Sequence, residues 1–399
     1  MSKERPKVAV FSPYVLEKGT PDGVKDYIQT LKPALQRKGI EVVLIGPSIK
    51  DRQNNLADNT LGLPVRIKMK GTSYRGAATV NFFRARKIIN SEKPDINEFH
   101  EAFANPATVE IVSLVAREIP QIFQFHAHTE EPTRRQKVLI ALGQKSGFMK
   151  HVMKRVSERH AASPAPKKFW ADLLEEPEEL YEIIPNPIDT ELFSYNREEK
   201  EKKREKKLIV CTARHDERKK IDDLIFAAGH LIRSDIRDFI VKITGEGPKT
   251  PELKDLVKRL GLSEFVEFVG TLPVEELAAL TAEADLLIAP SEGGEGHNRS
   301  ISNARAAGTL VVATRIPGQT FAYGPEEVFG EMAEPNNPDD LANRINEFLN
   351  LSPEEKEKRR ELGRRFVEEN FSVEVVAQKK VAAYEKVIYQ KRYPYVFEA

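Results

Sequence analysis

Residues 285–314 of this 399-residue chain hold the pattern that most restricts what it can fold into. An apolar segment, Asp285-Leu-Leu-Ile288, runs into Ala289-Pro-Ser-Glu-Gly-Gly-Glu-Gly-His-Asn-Arg-Ser-Ile-Ser-Asn-Ala-Arg-Ala-Ala-Gly308, and a second apolar segment, Leu310-Val-Val-Ala-Thr314, follows. The pattern predicts a strand, a glycine-rich turn, a short helix and another strand. Gly293, Gly294 and Gly296 let the backbone approach a ligand, and the amides opening the helix face the same point, so an anion such as a diphosphate fits there. Glu295 stands at the mouth. A carboxylate aimed at a phosphate is repelled by it, so Glu295 is expected to accept hydrogen bonds from the hydroxyls of a sugar attached to that phosphate. The chemistry implied is that of nucleotide sugars.

The two halves of the chain open alike. Lys7-Val-Ala-Val-Phe11 reads as a buried parallel strand, followed by a loop to Gly23, a helix with Val24, Tyr27, Ile28, Leu31 and Leu35 on one face, and a strand at Glu41–Ile45. Leu208–Ala213, the loop Arg214–Lys220, the helix Ile221–Ile232 and the strand Ile240–Thr244 repeat that order. Each is a βαβ beginning, which predicts an α/β chain of two doubly wound, Rossmann-like domains facing a central cleft. The seam is expected near Pro185-Asn-Pro187 and the charged run Arg197–Lys207, giving domains over 1–190 and 191–374. A C-terminal stripe, Val375, Val376, Val381, Tyr384 and Ile388, must be covered, so a helix over about 375–399 is expected to cross back onto the first domain. Pro33 within the first helix predicts a kink.

Composition excludes several classes. With 62 Lys and Arg against 61 Asp and Glu there is no basic field for nucleic acid. The single cysteine, Cys211, excludes an internal disulfide and a cysteine-ligated cluster. Neither a signal peptide nor a membrane-spanning segment is legible, which predicts a soluble, cytoplasmic protein.

In its order of elements the chain resembles the retaining glycosyltransferases of the two-Rossmann-domain (GT-B) type, family 4, which include sucrose-phosphate synthases and, nearest to this chain, phosphatidylinositol mannosyltransferases. The family signature is a glutamate, seven residues and a second glutamate, then a small-residue helix, a glycine and a Val-Val-Ala-Thr-like strand. Glu295, Gly308 and Val311–Thr314 match it, and Asn303 stands at the second glutamate. In the family that carboxylate grips the nucleotide's ribose, so the resemblance implies a weaker, neutral contact here. Gly296, His297, Asn298, Arg299, Ser300 and Ile301 resemble common variants of the signature and are implied to line the donor site.

Arg214-His-Asp-Glu-Arg-Lys-Lys220 resembles the family's Arg-x4-Lys element, which implies that Arg214 and Lys219 stabilise the departing diphosphate. Lys220 replaces the usual glycine, and the two lysines could exchange roles. In the first half, Gly23 and Asp22 stand where the family has paired glycines near the donor diphosphate. His126 matches the family histidine that touches the donor sugar, with His128 beside it, while His100 reads as structural. No third ligand at metal spacing accompanies His126 and His128, and no Asp-x-Asp occurs, so neither a metal nor another cofactor is expected. The mechanism the family implies is a front-face substitution in which the departing phosphate oxygen takes the acceptor's proton.

The expectation is transfer of a hexose from GDP-mannose or a UDP-hexose to an unidentified hydroxyl acceptor, lipid or glycan. The alternative is a relative that keeps the fold and binds nucleotide sugars without transfer; an epimerase on the same fold fits Glu295 and Arg214 least. Residues 134–159 read as a basic, partly apolar helix with two placements open: an ordinary core-facing helix, or one lying on an anionic membrane at the inner face, as the family's lipid mannosyltransferases do.

Overall fold

A computed structural model describes residues 5–12, 23–47, 56–61, 64–69, 72–77, 82–100, 116, 118–126, 148–196 and 205–393. Asp22, His128, residues 134–147 of the basic stretch, most of the charged run and the end of the C-terminal segment lie outside the described residues. The chain divides into two compact units, 1–187 with 373–399, and 188–372.

In the first unit, β1 (Lys7–Phe11) leads to helix α1 (Gly23–Arg37) and strand β2 (Glu41–Gly46). Short strand β3 (Asn59–Thr60), the hairpin β4 (Pro64–Met69) and β5 (Thr72–Ala77), and helix α2 (Phe82–Glu92) follow. Next come β6 (Ile96–His100), β7 (Gln121–Phe125), α3 (Phe148–Met153), β8 (Glu158–Ala161), α4 (Pro164–Leu174) and β9 (Tyr181–Ile183). Seven strands form one parallel sheet in the order β3-β2-β1-β6-β7-β8-β9. The order reverses between β1 and β6, which opens a crevice at their carboxyl ends. α1 runs through Pro33 without a break in its helical assignment; Gln29, whose carbonyl loses its partner there, and Pro33 are both exposed, so water can replace the missing bond.

The helical reading of 134–159 fails at its end, because Glu158–Ala161 is β8, paired in parallel with β7. Its polar letters hid it: Glu158 and His160 are buried, and the lysines that serve them, Lys386 and Lys380, lie far along the chain. Met149, Val152 and Val156 sit in the core, so this part of the stretch takes the ordinary, core-facing placement.

The second unit holds β10 (Lys207–Thr212), α5 (Ile221–Arg233), β11 (Phe239–Thr244), α6 (Thr250–Arg259), β12 (Val266–Gly270) and α7 (Val274–Glu283). It continues with β13 (Leu286–Ala289), α8 (Arg299–Ala306), β14 (Leu310–Ala313), α9 (Pro317–Tyr323), α10 (Glu326–Phe329), α11 (Pro338–Leu349) and α12 (Pro353–Asn370). Its five strands are parallel, in the order β12-β11-β10-β13-β14, reversing between β10 and β13. Because helices cover both faces, β13 (LLIA) and β14 (LVVA) are apolar and buried throughout rather than alternating. Ile209, Cys211, Leu286 and Ile288 face one core, and Leu287 and Ala289 another. Burial pushes the Cys211 thiol up to about 12, leaving it inert.

The last helix, α13 (Val373–Arg392), belongs to the first unit and packs beside α1. Val376 and Tyr384 are buried there, with Val381 and Ile388 partly so. Lys380 is buried in the same stripe, where a lysine was not expected. Among the described residues no helix is long and apolar enough to cross a membrane.

Candidate functional site

The reversal point of the second sheet gathers the second-half residues the sequence singled out around Glu295. The chain leaves β10 at Thr212 into the loop carrying Arg214, Lys219 and Lys220, and leaves β13 at Ala289 into the loop carrying Glu295. Two short bonds lash these loops together: the Glu292 amide donates to the Arg218 carbonyl at 2.9 Å, and Ser300 Oγ to the Thr212 carbonyl at 3.0 Å. Lys219 then reaches Glu295 as an ion pair, and Ser291 Oγ donates to the same carboxylate oxygen at 3.0 Å. Burial opposes charge on Glu295, but Lys219, Ser291 and Arg218 outweigh it and hold the carboxyl below its ordinary range. Burial likewise works against Lys219, and Glu295 more than reverses it. Lys220 pairs with Glu292 at 3.2 Å and starts α5 in the left-handed region, at φ 46°. Lys219 is thereby the lysine at Glu295. Arg214 is half-buried in the same loop.

Two glycines permit this arrangement. Gly294 has φ +70°, and a Cβ there would lie 2.6 Å from an Arg218 guanidinium nitrogen. A Cβ on Gly318 would lie 1.7 Å from the Glu295 carbonyl oxygen, so α9 approaches the carboxylate's own backbone through a residue with no side chain.

The start of α8 differs from expectation. The Asn298 side chain caps the helix, accepting from the Ser300 amide at 3.1 Å and the Ile301 amide at 3.4 Å, so two amides foreseen for an anion already have a partner. Ile301 and His297 point into the core. His297 Nε2 is 2.9 Å from Ser302 Oγ, its ring packs on Phe321 and Phe371, and burial with help from Arg299 lowers its pKa to about 3. Any donor contact from these two must come from main chain. Arg299 and Ser300 are half-buried, Gly296 is buried, and Asn303 Oδ1 is buried without a hydrogen-bond partner.

In the first unit Gly23 is exposed at the start of α1, with open space around its Cα. His126 follows β7 and is buried, its Nε2 2.7 Å from His100 Nδ1 and its Nδ1 3.2 Å from Asn186 Oδ1. His100 is therefore tied directly to His126. Behind them lies a buried cluster that sequence reasoning missed: Glu98, Gln124, His160, Lys380 and Tyr384. Glu158, His160 and Glu182 also come within metal-ligand reach of one another, but Lys386 pairs with Glu158 at 2.6 Å and Lys380 lies 3.0 Å from His160 Nδ1, so cations are already supplied. The one available signal was the i, i+2 spacing of Glu98 and His100 on a strand.

Comparison with known proteins agrees across the chain. The model of Glycosyltransferase Family 4 matches residues 21–192, and that of Glycosyl transferases group 1 matches residues 194–366. An MMP alpha-(1->4)-mannosyltransferase of Mycolicibacterium hassiacum is 30% identical over 244 residues, 60% of this chain; the chain spans only 57% of that relative's length. A phosphatidyl-myo-inositol mannosyltransferase of Mycolicibacterium smegmatis is 25% identical over 316 residues, 78% of this chain and 76% of that protein. Among solved structures, Anabaena HepE in complex with UDP and glucose superposes with a TM-score of 0.71 at 17% identity, covering 96% of this chain and 100% of that one. Sucrose-phosphate synthase from Thermosynechococcus elongatus gives 0.72 at 18% identity with the same coverage. These last two likenesses speak to fold.

Proposed function

We propose, for a chain that belongs to the family 4 glycosyltransferases of the two-Rossmann-domain (GT-B) type, the transfer of a hexose from a nucleoside diphosphate sugar to a hydroxyl acceptor with retention at the anomeric carbon. The observation that carries this reading is the Lys219–Glu295 pair at the reversal point of the second sheet. The two groups are complementary to the two ends of a sugar diphosphate. A donor placed there exchanges partners: its diphosphate takes Lys219, with Arg214 of the same loop as the second cation, and Glu295 turns to the sugar hydroxyls. Negative charge grows on the leaving phosphate as the glycosidic bond breaks, and two fixed cations lower that barrier without a divalent ion. The departing phosphate oxygen removes the acceptor's proton, the acceptor oxygen attacks from the same face, and the products are a nucleoside diphosphate and a glycoside of unchanged configuration. Asn303, with an unpartnered buried carbonyl, is suited to accept from a ribose hydroxyl.

The mannosyltransferase names of the relatives make GDP-mannose the first donor to try and UDP-hexoses the next, with lipid or glycan hydroxyls as acceptors; action in the cytoplasm beside a membrane is part of the same proposal. A second reading rests on Asn303: loss of the carboxylate fits a protein that binds nucleotide sugars without transferring them. Calorimetry with GDP-mannose, UDP-glucose and UDP-galactose, followed by product analysis of the anomeric proton coupling, separates the two. Binding with an α-linked product supports transfer, binding without product under any acceptor supports the second reading, and no binding overturns both.

A further inference from the structure

We infer that Arg218, which the family pattern leaves unassigned, is a third cation for the diphosphate of the donor. Its guanidinium differs from the lysines of the same loop in having no close counter-charge. Lys219 is engaged by Glu295, and Lys220 by Glu292 at 3.2 Å. Among the described residues the Arg218 guanidinium makes no hydrogen bond: its ion pair with Asp216 is long, at 3.8 Å, and its Nε is buried without a partner. The side chain is 39% exposed, so a ligand arriving from solution can reach it.

The loops are built to hold it there. Arg218 lies in the single 3₁₀ turn Glu217–Lys219, and its own carbonyl accepts from the Glu292 amide at 2.9 Å, one of the bonds that tie the two loops together. The guanidinium then lies over Gly294. A Cβ on that residue would fall 2.6 Å from one terminal nitrogen and 3.6 Å from both Cδ and Cζ of Arg218. Gly294 belongs to the glycine-rich turn that the sequence marks as a close approach to an anion, and its φ of +70° is one that glycine takes without strain. The space that a side chain would fill in that turn holds a cation instead. Both members of the neighbouring pair feel its charge, which helps to keep Glu295 ionised and opposes the charge on Lys219.

A diphosphate is the ligand this arrangement fits. Asn298 occupies the Ser300 and Ile301 amides, so the opening of α8 offers a phosphate fewer donors than the pattern implied. Glu295, ionised at the same place, repels an anion and offsets Lys219. A diphosphate ester carries a negative charge on each phosphate, so holding it there takes positive charge beyond Lys219 and Arg214. A guanidinium supplies it in a planar, permanently charged form that gives two parallel N–H bonds to phosphate oxygens. A merely solvated arginine would keep its Nε in water and would need no glycine beneath it. The inference rests on the proposed function for the identity of the ligand.

Calorimetry with GDP and UDP on the full chain, Arg218→Gln and Arg218→Lys tests it. For whichever nucleotide the parent binds, Arg218→Gln should weaken binding by about tenfold to hundredfold, the range of a hydrogen bond to a charged group, and Arg218→Lys by less. The gap between parent and Arg218→Gln should narrow as salt is raised, because a partly exposed charge is screened. Urea midpoints should coincide, since the side chain makes no hydrogen bond that holds the fold. Equal affinities of parent and Arg218→Gln, or a gap that salt leaves unchanged, overturn the inference. So does an unchanged nucleotide affinity with a raised KM for the acceptor, which would assign Arg218 to an anionic group of the acceptor. Transfer assayed on the same samples keeps the two claims apart. Nucleotide binding that depends on Arg218 without any glycoside formed defeats the proposed transfer alone, transfer with a nucleotide affinity indifferent to Arg218 defeats the inference alone, and a parent that binds neither nucleotide defeats both.

Discussion

Gly318 lies against Glu295 so closely that a Cβ on it would come within 1.7 Å of the Glu295 carbonyl oxygen. The loop that presents the carboxylate is thus shaped from behind by a helix turn with no side chain. Gly318→Ala must displace that loop, and forced overpacking costs about 1–3 kcal/mol. The expected result is a lower urea midpoint together with loss of nucleotide-sugar binding, read by denaturation and calorimetry on one sample. Unchanged binding would show that Glu295 is not held from this side.

Lys219 and Arg214 are expected to act on the transition state more than on donor binding. Removing a cation aimed at developing charge costs about 2.7–4 kcal/mol, or roughly 10²–10³ in kcat. Arg214→Ala should show that loss with a smaller change in donor affinity. Full turnover in Arg214→Ala would remove it from the mechanism.

Asn303→Glu tests the departure from the family pattern. A hydrogen bond to a charged group contributes about 1.5–3 kcal/mol against about 1 for a neutral one. Nucleotide-sugar binding should tighten by up to about tenfold, which is roughly 1.4 kcal/mol. Weaker binding in the variant would place the ribose elsewhere.

Lys380→Met leaves Glu98 charged and buried without its main partner, which typically costs about 3–5 kcal/mol. The double variant Lys380→Met, Glu98→Leu removes both charges and should regain most of that loss in urea unfolding. A double variant no better than the single would mean that the pair is not the source of the cost.

Acid should weaken the fold before carboxylates titrate. His100, His126, His160 and His297 are buried and all have pKa values below the ordinary 6.5, burial being the first cause in each. A lowered folded pKa means that the unfolded chain binds more protons once pH drops below 6.5, so this stability is complete above that pH and lost on acidification. One pH unit below 6.5, a histidine whose folded pKa lies as far down as that of His297, about 3, costs about 1.4 kcal/mol. Urea midpoints should therefore fall between pH 7.5 and 5.5, and His297→Phe, which keeps a ring against Phe321 and Phe371, should flatten part of the fall. Midpoints independent of pH over that range would contradict the assignment of these histidines as neutral.

The sequence by itself determined the α/β class, the two βαβ openings and the neighbourhood of the candidate site, because these are written in local periodicity. The strand at Lys7–Phe11 and the helix beginning at Ile221 sit where their apolar spacing places them, and Arg214, Lys219 and Glu295 follow strand ends that the same spacing locates. The α13 stripe announced that it would be covered. Only the tertiary structure decided the pairings. Lys219 meets Glu295 across 76 residues and Lys380 meets Glu98 across 282, and nothing in either local sequence distinguishes a buried ion from a solvated one. Burial makes a charge depend on a specific partner, and the partner is chosen by strand order and helix docking. The same cause hid β8, whose Glu158 and His160 are tolerable in a sheet only because Lys386 and Lys380 arrive from the far end of the chain. It also turned His297 inward: a polar letter in a glycine-rich turn suggested a ligand, whereas the fold offered it Ser302 and two aromatic rings.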